Sequence, residues 1–412
     1  MTSTRRQFIA SSAASLAGAT LWPSDLIGAD SSAKRPLRIL ILGGTGFLGP
    51  ACTESALARG HKVTHFNSGR TEELRRNAGR PSVVPEGVEQ LFGNRDPNKT
   101  AADRKNAGKP DAPQEADSPK GLSQLVGKKW DGVLDTSGYF PRMVKASAAL
   151  LAPNVRQYIF ISSISVYKDT SKPHYDETAA LATLADPTTE EMGKNFENFG
   201  GGKALCESAA ESAMPGRVTN VRPGFIVGAR DTSGRFIYWP VRASQGGEMI
   251  VPGAPGDPIQ IIDVRNLTDW LIHCLENSIV GVYNATGPGK ELTMKGMMEG
   301  VRTGVGSKTT MTWVDHEWLK TQGIREGQFP LYAPPVSETS GFHRCNIARA
   351  LAKGLTFRPV ADTSRATLEW YQSLPSEIQT RVAPQLAKNT GEEDWLAREK
   401  NLLEKWRERK TK

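Results

Sequence analysis

Arg38-Ile39-Leu40-Ile41-Leu42-Gly43-Gly44-Thr45-Gly46-Phe47-Leu48-Gly49 is the stretch whose reading decides the fold. Its first five residues form a short apolar run of the buried parallel-strand type. A glycine turn follows at once, and Pro50 to Arg59 then reads as helix, stopped by Gly60. Strand, glycine turn and helix in this order make a phosphate cradle. Gly43 and Gly46 permit a tight turn whose backbone N–H groups approach a pyrophosphate, and Gly49 permits close helix packing. Thr45, Phe47 and Leu48 belong to the same cradle. The helix start turns its partial positive charge toward the phosphates.

Downstream, Lys62 to Phe66 predicts a second strand, ending in Asn67-Ser68-Gly69-Arg70. A carboxylate there would hydrogen-bond the adenosine ribose and repel a 2′-phosphate. Neutral Asn67 with Arg70 behind it tolerates that phosphate, so NAD and NADP both stay open. Val88 to Phe92 predicts a third strand, leading to Gly93-Asn94-Arg95-Asp96 beside the adenine. Trp130 to Asp135 is a fourth, closing with Thr136-Ser137-Gly138-Tyr139; Arg156 to Ser162 is a fifth and Arg217 to Val221 a sixth. Between the third and fourth, residues 97–120 are rich in Lys, Asp, Ala, Pro and Asn and predict a mobile surface insertion. Strand–helix alternation to about residue 225 specifies an α/β fold, a Rossmann-like doubly wound parallel sheet. The expected organisation is a dinucleotide-binding domain over 36–285, a smaller C-terminal substrate-binding lid over 286–372 and a charged helical tail over 373–412.

The 412 residues carry 52 basic and 44 acidic side chains, a net charge of +8 that is mild over this length. Neither nucleic acid nor membrane follows as a partner from that excess. No run of 18 apolar residues occurs, so no transmembrane span is expected in the mature protein. Cys52, Cys206, Cys274 and Cys345 lie far apart without metal-ligand spacing, and His61 and His65 sit on strand-like sequence, so no metal site is expected. At the start, Thr4-Arg5-Arg6-Gln7-Phe8-Ile9 precedes an Ala/Ser/Gly-rich stretch to Leu21 and small residues around Ala29. This predicts a signal peptide over 1–29 of the twin-arginine type, and export in folded form to the periplasm or another extracytoplasmic space.

Four motifs in order resemble the extended short-chain dehydrogenase/reductase superfamily, its NAD-dependent epimerase/dehydratase branch above all. They are GGTGFLG at Gly43–Gly49, Ser162-Ser163-Ile164-Ser165-Val166-Tyr167, Arg222-Pro223-Gly224 and Asp263-Val264-Arg265-Asn266. The resemblance covers about residues 36 to 370. It implies that Ser163 bonds the substrate hydroxyl and that Lys203 grips the nicotinamide ribose. The same resemblance calls for a tyrosine four residues before that lysine, as general acid or base, and position 199 is phenylalanine. Phenylalanine has no proton to move, and losing a positioned base costs on the order of 100- to 10,000-fold in rate. Tyr139, at the carboxyl end of the fourth strand, is the candidate replacement; Tyr167, His174 and Tyr175 follow the fifth strand, and Lys203 itself would need a strongly lowered pKa.

On the substrate side, Arg230, Arg235 and Arg265 are candidate contacts for an anion or sugar hydroxyls, and Tyr238 and Trp239 for a sugar face or the core. The tail's Trp395, Leu396, Leu402, Leu403 and Trp406 form an apolar stripe that would pack on the body or on a second subunit as a homodimer. Two readings follow. One is an NAD(P)-dependent epimerase, dehydratase or reductase acting on a small sugar-like polyol with a retained cofactor. The other is a catalytically inactive cofactor-binding or scaffold protein. RNA binding, known among atypical relatives of the superfamily, finds no recognition motif here.

Overall fold

The computed structural model describes residues 35–105, 117–324, 327–386 and 395–411. The signal-peptide expectation for 1–29 and the middle of the insertion, 106–116, lie outside the described residues.

The apolar run forms β1 (Arg38–Leu42), followed by α1 (Leu48–Ala58), β2 (Lys62–Asn67), α2 (Arg70–Asn77) and β3 (Glu89–Phe92). Then come β4 (Trp130–Asp135), α3 (Pro141–Leu151), β5 (Val155–Ile161), α4 (Phe199–Ala213) and β6 (Val218–Pro223). A further strand that the sequence reading did not include, β7 (Gly281–Ala285), closes the far edge. The seven strands lie in the order β7-β6-β5-β4-β1-β2-β3, and all pairs are parallel. The order of strand addition reverses between β1 and β4, which makes their carboxyl ends the crevice where such sheets bind ligands. Ile39 to Leu42 are wholly buried, as a strand covered on both faces must be.

After β6 come α5 (Tyr238–Ser244), α6 (Val264–Glu276), α7 (Met294–Gly304), α8 (Val360–Gln372) and α9 (Trp395–Thr411). Of these, α6 packs against α1 on the sheet core, while the others build a second core in which Trp239, Met249–Val251, Met297 and Met298 pack with Leu402, Leu403 and Trp406. That core draws on chain upstream of residue 285, while Ala350 and Leu355 pack back on the sheet core. The two cores interleave along the sequence. The apolar stripe of α9 is used by this chain's own body: Trp395 Nε1 donates to Tyr238 Oη at 3.2 Å, and Glu399 pairs with Arg242 at 2.7 Å.

The insertion is docked at both of its ends. Thr100 bridges to Lys120, Gly121 N donates to Lys99 O at 2.6 Å, and Ala101–Lys105 is a short helix. Lys99 and Asp103 reach the rim of the main cavity.

Candidate functional site

A cavity of about 780 Å³ opens at the carboxyl ends of β1, β4, β5 and β6. The glycine turn forms one wall with Gly43, Thr45, Gly46, Phe47 and Leu48. Gly43 stands at φ +93°, a conformation glycine reaches without strain. A Cβ on Gly49 would lie 2.3 Å from the backbone of Gly44, and one on Gly44 would lie 2.4 Å from the His65 ring. Helix, turn and second strand are therefore pressed together at two glycines, and Gly49 packs on the turn itself rather than on the strand. Phe47 caps α1 without a side-chain hydrogen bond, and the first turn holds no acid. The N–H groups of that turn lack intrahelical partners by geometry. Behind the turn, burial pushes His65 down to about 4, so it is neutral. Thr53 Oγ1 donates to Gly49 O at 2.8 Å, so it accepts from His65 Nε2 at 2.7 Å.

At the end of β2, Asn67, Ser68 and Thr71 line the cavity, and Arg70 does not. Asn67 Oδ1 accepts from Gly69 N at 2.7 Å, while its Nδ2 is buried without a hydrogen bond. The nearby acid Glu72 is turned away, accepting from Ser82 Oγ and Val83 N.

The floor holds a buried ion pair. Arg95 Nη1 and Nη2 donate to Asp135 Oδ1 and Oδ2 at 2.6 and 2.7 Å, and Tyr158 Oη donates to Asp135 Oδ2 at 2.6 Å. Burial alone would raise the Asp135 carboxyl, but Arg95, Tyr158 and the Ser137 N–H hold it below the usual carboxylate range.

The opposite wall carries the residues of catalytic type. Lys203 is 5% exposed, and its Nζ donates to Ile161 O at 2.6 Å and Gly138 O at 2.8 Å. It lies 4.4 Å from the Phe160 ring centroid and 5.3 Å from that of Tyr139. Burial pushes its ammonium down to about 8 against the pull of Asp135. Ser163 is half-buried and lines the cavity; its Oγ accepts from Ser165 N and donates to Ser165 Oγ, both at 3.1 Å. Phe199, first residue of α4, lines the cavity where the resemblance calls for a phenol. Tyr139 lines it too, is 50% exposed, and its hydroxyl has no hydrogen bond among the described residues.

The glycines after Phe199 have a packing role. A Cβ on Gly200 would lie 2.1 Å from Ser165 O, and one on Gly201 would lie 2.7 Å from Leu184 Cδ2. Gly200 lets the first turn of α4 press against the chain that carries Ser163, and Gly201 lets it press against Thr183 and Leu184.

Several sequence candidates lie elsewhere. Tyr167 is buried, donating to Asn284 Oδ1 at 2.6 Å and accepting from Arg222 Nη1 at 3.0 Å. Tyr175 packs edge-on against it, and neither Tyr175 nor His174 lines the cavity. Arg230 is not a cavity residue, since its Nη2 is held by Glu54 Oε1 at 2.6 Å. Arg265 is turned back on Asp263 at 2.6 Å, the residue that caps its own helix. In both cases a local carboxylate wins the guanidinium. Of the three arginines, Arg235 alone lines the cavity, together with Phe225, Ile226 and Phe342, which the sequence did not single out. Among the described residues no cluster of His, Cys, Asp or Glu could hold a metal ion, and no helix is long and apolar enough to cross a membrane.

No model of a known protein family matches the chain. Two curated relatives are similar at low identity. The epimerase family protein SDR39U1 of Bos taurus is 25% identical over 281 residues, 66% of this chain and 81% of that protein. The chloroplast stem-loop binding protein of 41 kDa b of Arabidopsis thaliana is 26% identical over 269 residues, 65% of this chain but 62% of that relative's length. Among solved structures, the Bordetella bronchiseptica enzyme WbmG, determined in complex with NAD and UDP, is similar with a TM-score of 0.52 at 16% identity, over 82% of this chain and 95% of that one. At that identity the likeness is one of architecture: this chain carries the doubly wound fold of WbmG.

Proposed function

We propose that the chain binds a nicotinamide dinucleotide, NAD(H) or NADP(H), and acts on a sugar-like polyol by transient oxidation at a carbinol carbon. The observation that carries this reading is one cavity holding the uncapped start of α1, Lys203, Ser163 and Tyr139 together. The residues present fit the cofactor. Gly46 leaves the cradle open, since a Cβ there would meet only Gly43 O at 3.7 Å, and Asn67 Nδ2 is a buried donor without a partner. With no carboxylate at Asn67 and the hydroxyls of Ser68 and Thr71 at the rim, the site does not repel a 2′-phosphate, and Arg70 does not reach it.

A bound nicotinamide would supply reversible hydride exchange with the carbinol carbon. Ser163 and Ser165 present hydroxyls to the alcohol, and Lys203, anchored by two carbonyls, has one N–H left for the ribose. Tyr139 is the group proposed to take the alcohol proton as the hydride leaves and to give it back. Its exposure means that a bound substrate must exclude water from it. Export of the folded protein through the Arg5-Arg6 signal is part of the proposal. It favours a redox-neutral reaction such as epimerisation or dehydration, in which the retained cofactor is restored each cycle. Cell fractionation checks that location.

The test is direct. Purified protein is titrated with NADPH and NADH by fluorescence, and candidate sugars are then followed at the cofactor's absorbance and by product analysis. Tight binding of at least one of the two, with turnover, is the expected result. Binding without turnover on any carbinol supports the inactive-binder reading, which Phe199 favours.

A further inference from the structure

Beside the main cavity lies a second chamber of about 340 Å³, and Phe225 and Arg235 form the wall common to both. Its surface is mostly ring and hydrocarbon, from Tyr238, Pro330, Leu331, Tyr332 and Leu386. Both phenol hydroxyls are already engaged. Tyr238 Oη accepts from Trp395 Nε1 at 3.2 Å, and Tyr332 Oη donates to Asp257 Oδ2 at 2.8 Å. Tyr238 keeps its O–H to donate, and both residues line the chamber with aromatic surface. Arg235 stacks 5.1 Å from the Phe225 ring centroid and donates through Nε to Ser233 Oγ at 2.9 Å. Its two terminal nitrogens have no hydrogen bond among the described residues.

The wall is held against strain. Leu331 stands at φ +70°, a left-handed conformation unfavourable for a branched residue. It persists because Trp239 Nε1 donates to Pro330 O and His343 Nε2 donates to Leu331 O, each at 2.9 Å. Backbone held in this way by two buried side chains is concentrated at binding surfaces.

We propose that this chamber is a preformed subsite for an aromatic group carrying one negative charge, the part of the substrate remote from its reacting carbon. It rests on the proposed function only in placing that carbon in the main cavity. Pockets that bury a whole small ligand run about 300–1,000 Å³, so this chamber takes one ring system. A nucleoside diphosphate fits it poorly. Two phosphates call for more than one cation, and among the described residues Arg235 is the one cation lining the chamber. In the main cavity, Arg95 is tied to Asp135 and Lys203 to two carbonyls, which leaves Lys99, on the insertion at its rim.

The probe is 8-anilinonaphthalene-1-sulfonate, an aromatic monoanion that brightens in apolar surroundings, titrated with the tighter-binding of NADPH and NADH present to fill the dinucleotide cleft. The expected result is saturable single-site binding that UDP does not displace. Ala333→Trp, which fills the chamber, weakens it at least tenfold, and Arg235→Gln at least fivefold. Should Ala333→Trp fold poorly, Arg235→Gln, at an exposed position, decides alone. Unchanged affinity in Arg235→Gln, or displacement of the probe by UDP, overturns the proposal. Probe binding as expected with no affinity for NADPH or NADH sinks the cofactor reading and leaves the chamber standing; dinucleotide binding with no probe binding does the reverse.

Discussion

Arg95 lays both terminal nitrogens on the two oxygens of Asp135, at 2.6 and 2.7 Å, joining the loop after β3 to the end of β4 beneath the cavity. Asp135 is wholly buried. Removing one member of such a pair leaves an uncompensated buried charge, which costs about 3–5 kcal/mol. Arg95→Met is therefore expected to lower stability by that order in chemical denaturation at neutral pH. The folded-state pKa of Asp135 lies below its ordinary value, so the wild-type contribution is full above the unfolded pKa and is lost as pH falls through the folded one. In the variant, burial is opposed only by the hydrogen bonds from Tyr158 and the Ser137 N–H, and the carboxyl rises. Its deficit relative to wild type should shrink as pH approaches about 4. A deficit that stays constant with pH would contradict the assignment.

Lys203 titrates in the opposite sense. Its folded value is near 8 against an ordinary 10.5, so the unfolded chain binds more protons between those limits. Stability is expected to rise with pH across that window. Lys203→Met should flatten the rise in thermal melts, weaken dinucleotide binding and abolish turnover. A variant with the wild-type pH slope would show that the lysine is not buried as described.

Tyr139→Phe separates binding from chemistry. The ring is kept and the proton lost, so dinucleotide affinity should be unchanged while turnover falls on the order of 100- to 10,000-fold. Activity that survives intact would move the base role to Lys203.

Two alanine substitutions in α4 should differ in sign. Helix propensity favours Ala over Gly by about 1 kcal/mol. At Gly202 a Cβ finds only Tyr139 O, at 3.9 Å, so Gly202→Ala should raise the melting temperature. At Gly200 a Cβ would sit 2.1 Å from Ser165 O, and a backbone atom cannot swing aside. Gly200→Ala should destabilise by about 1–3 kcal/mol and displace the segment bearing Ser163. Differential scanning fluorimetry of the pair reads both signs at once.

The strands and the glycine cradle were legible because they are written locally. An apolar run such as Ile39 to Leu42 signals burial on both faces, and the turn at Gly43 needs only the backbone freedom of its own residues. Lys203 and Ser163 were found through the family resemblance, and they line one cavity with Phe199. The arginines were a different matter. Arg230 and Arg265 looked equivalent to Arg235 in the sequence, yet Glu54 and Asp263 claim them. Asp263 lies two residues from Arg265 and could have been noticed as its partner. Glu54 lies on α1, far away in sequence from Arg230, and no local pattern links them.

The chain by itself determined the doubly wound sheet, the place of the phosphate cradle and the missing phenol at position 199. The first two depend on periodicity and spacing within a few residues, and the third on the resemblance to a family whose motif has tyrosine there. Tertiary structure alone decided which charges face the cavity, why Gly200 and Gly201 stand where they do, and that a second chamber opens behind Phe225. Those features arise where segments distant in sequence meet. There the nearest carboxylate or backbone carbonyl settles each side chain's partner, and that distance exists only once the chain has folded.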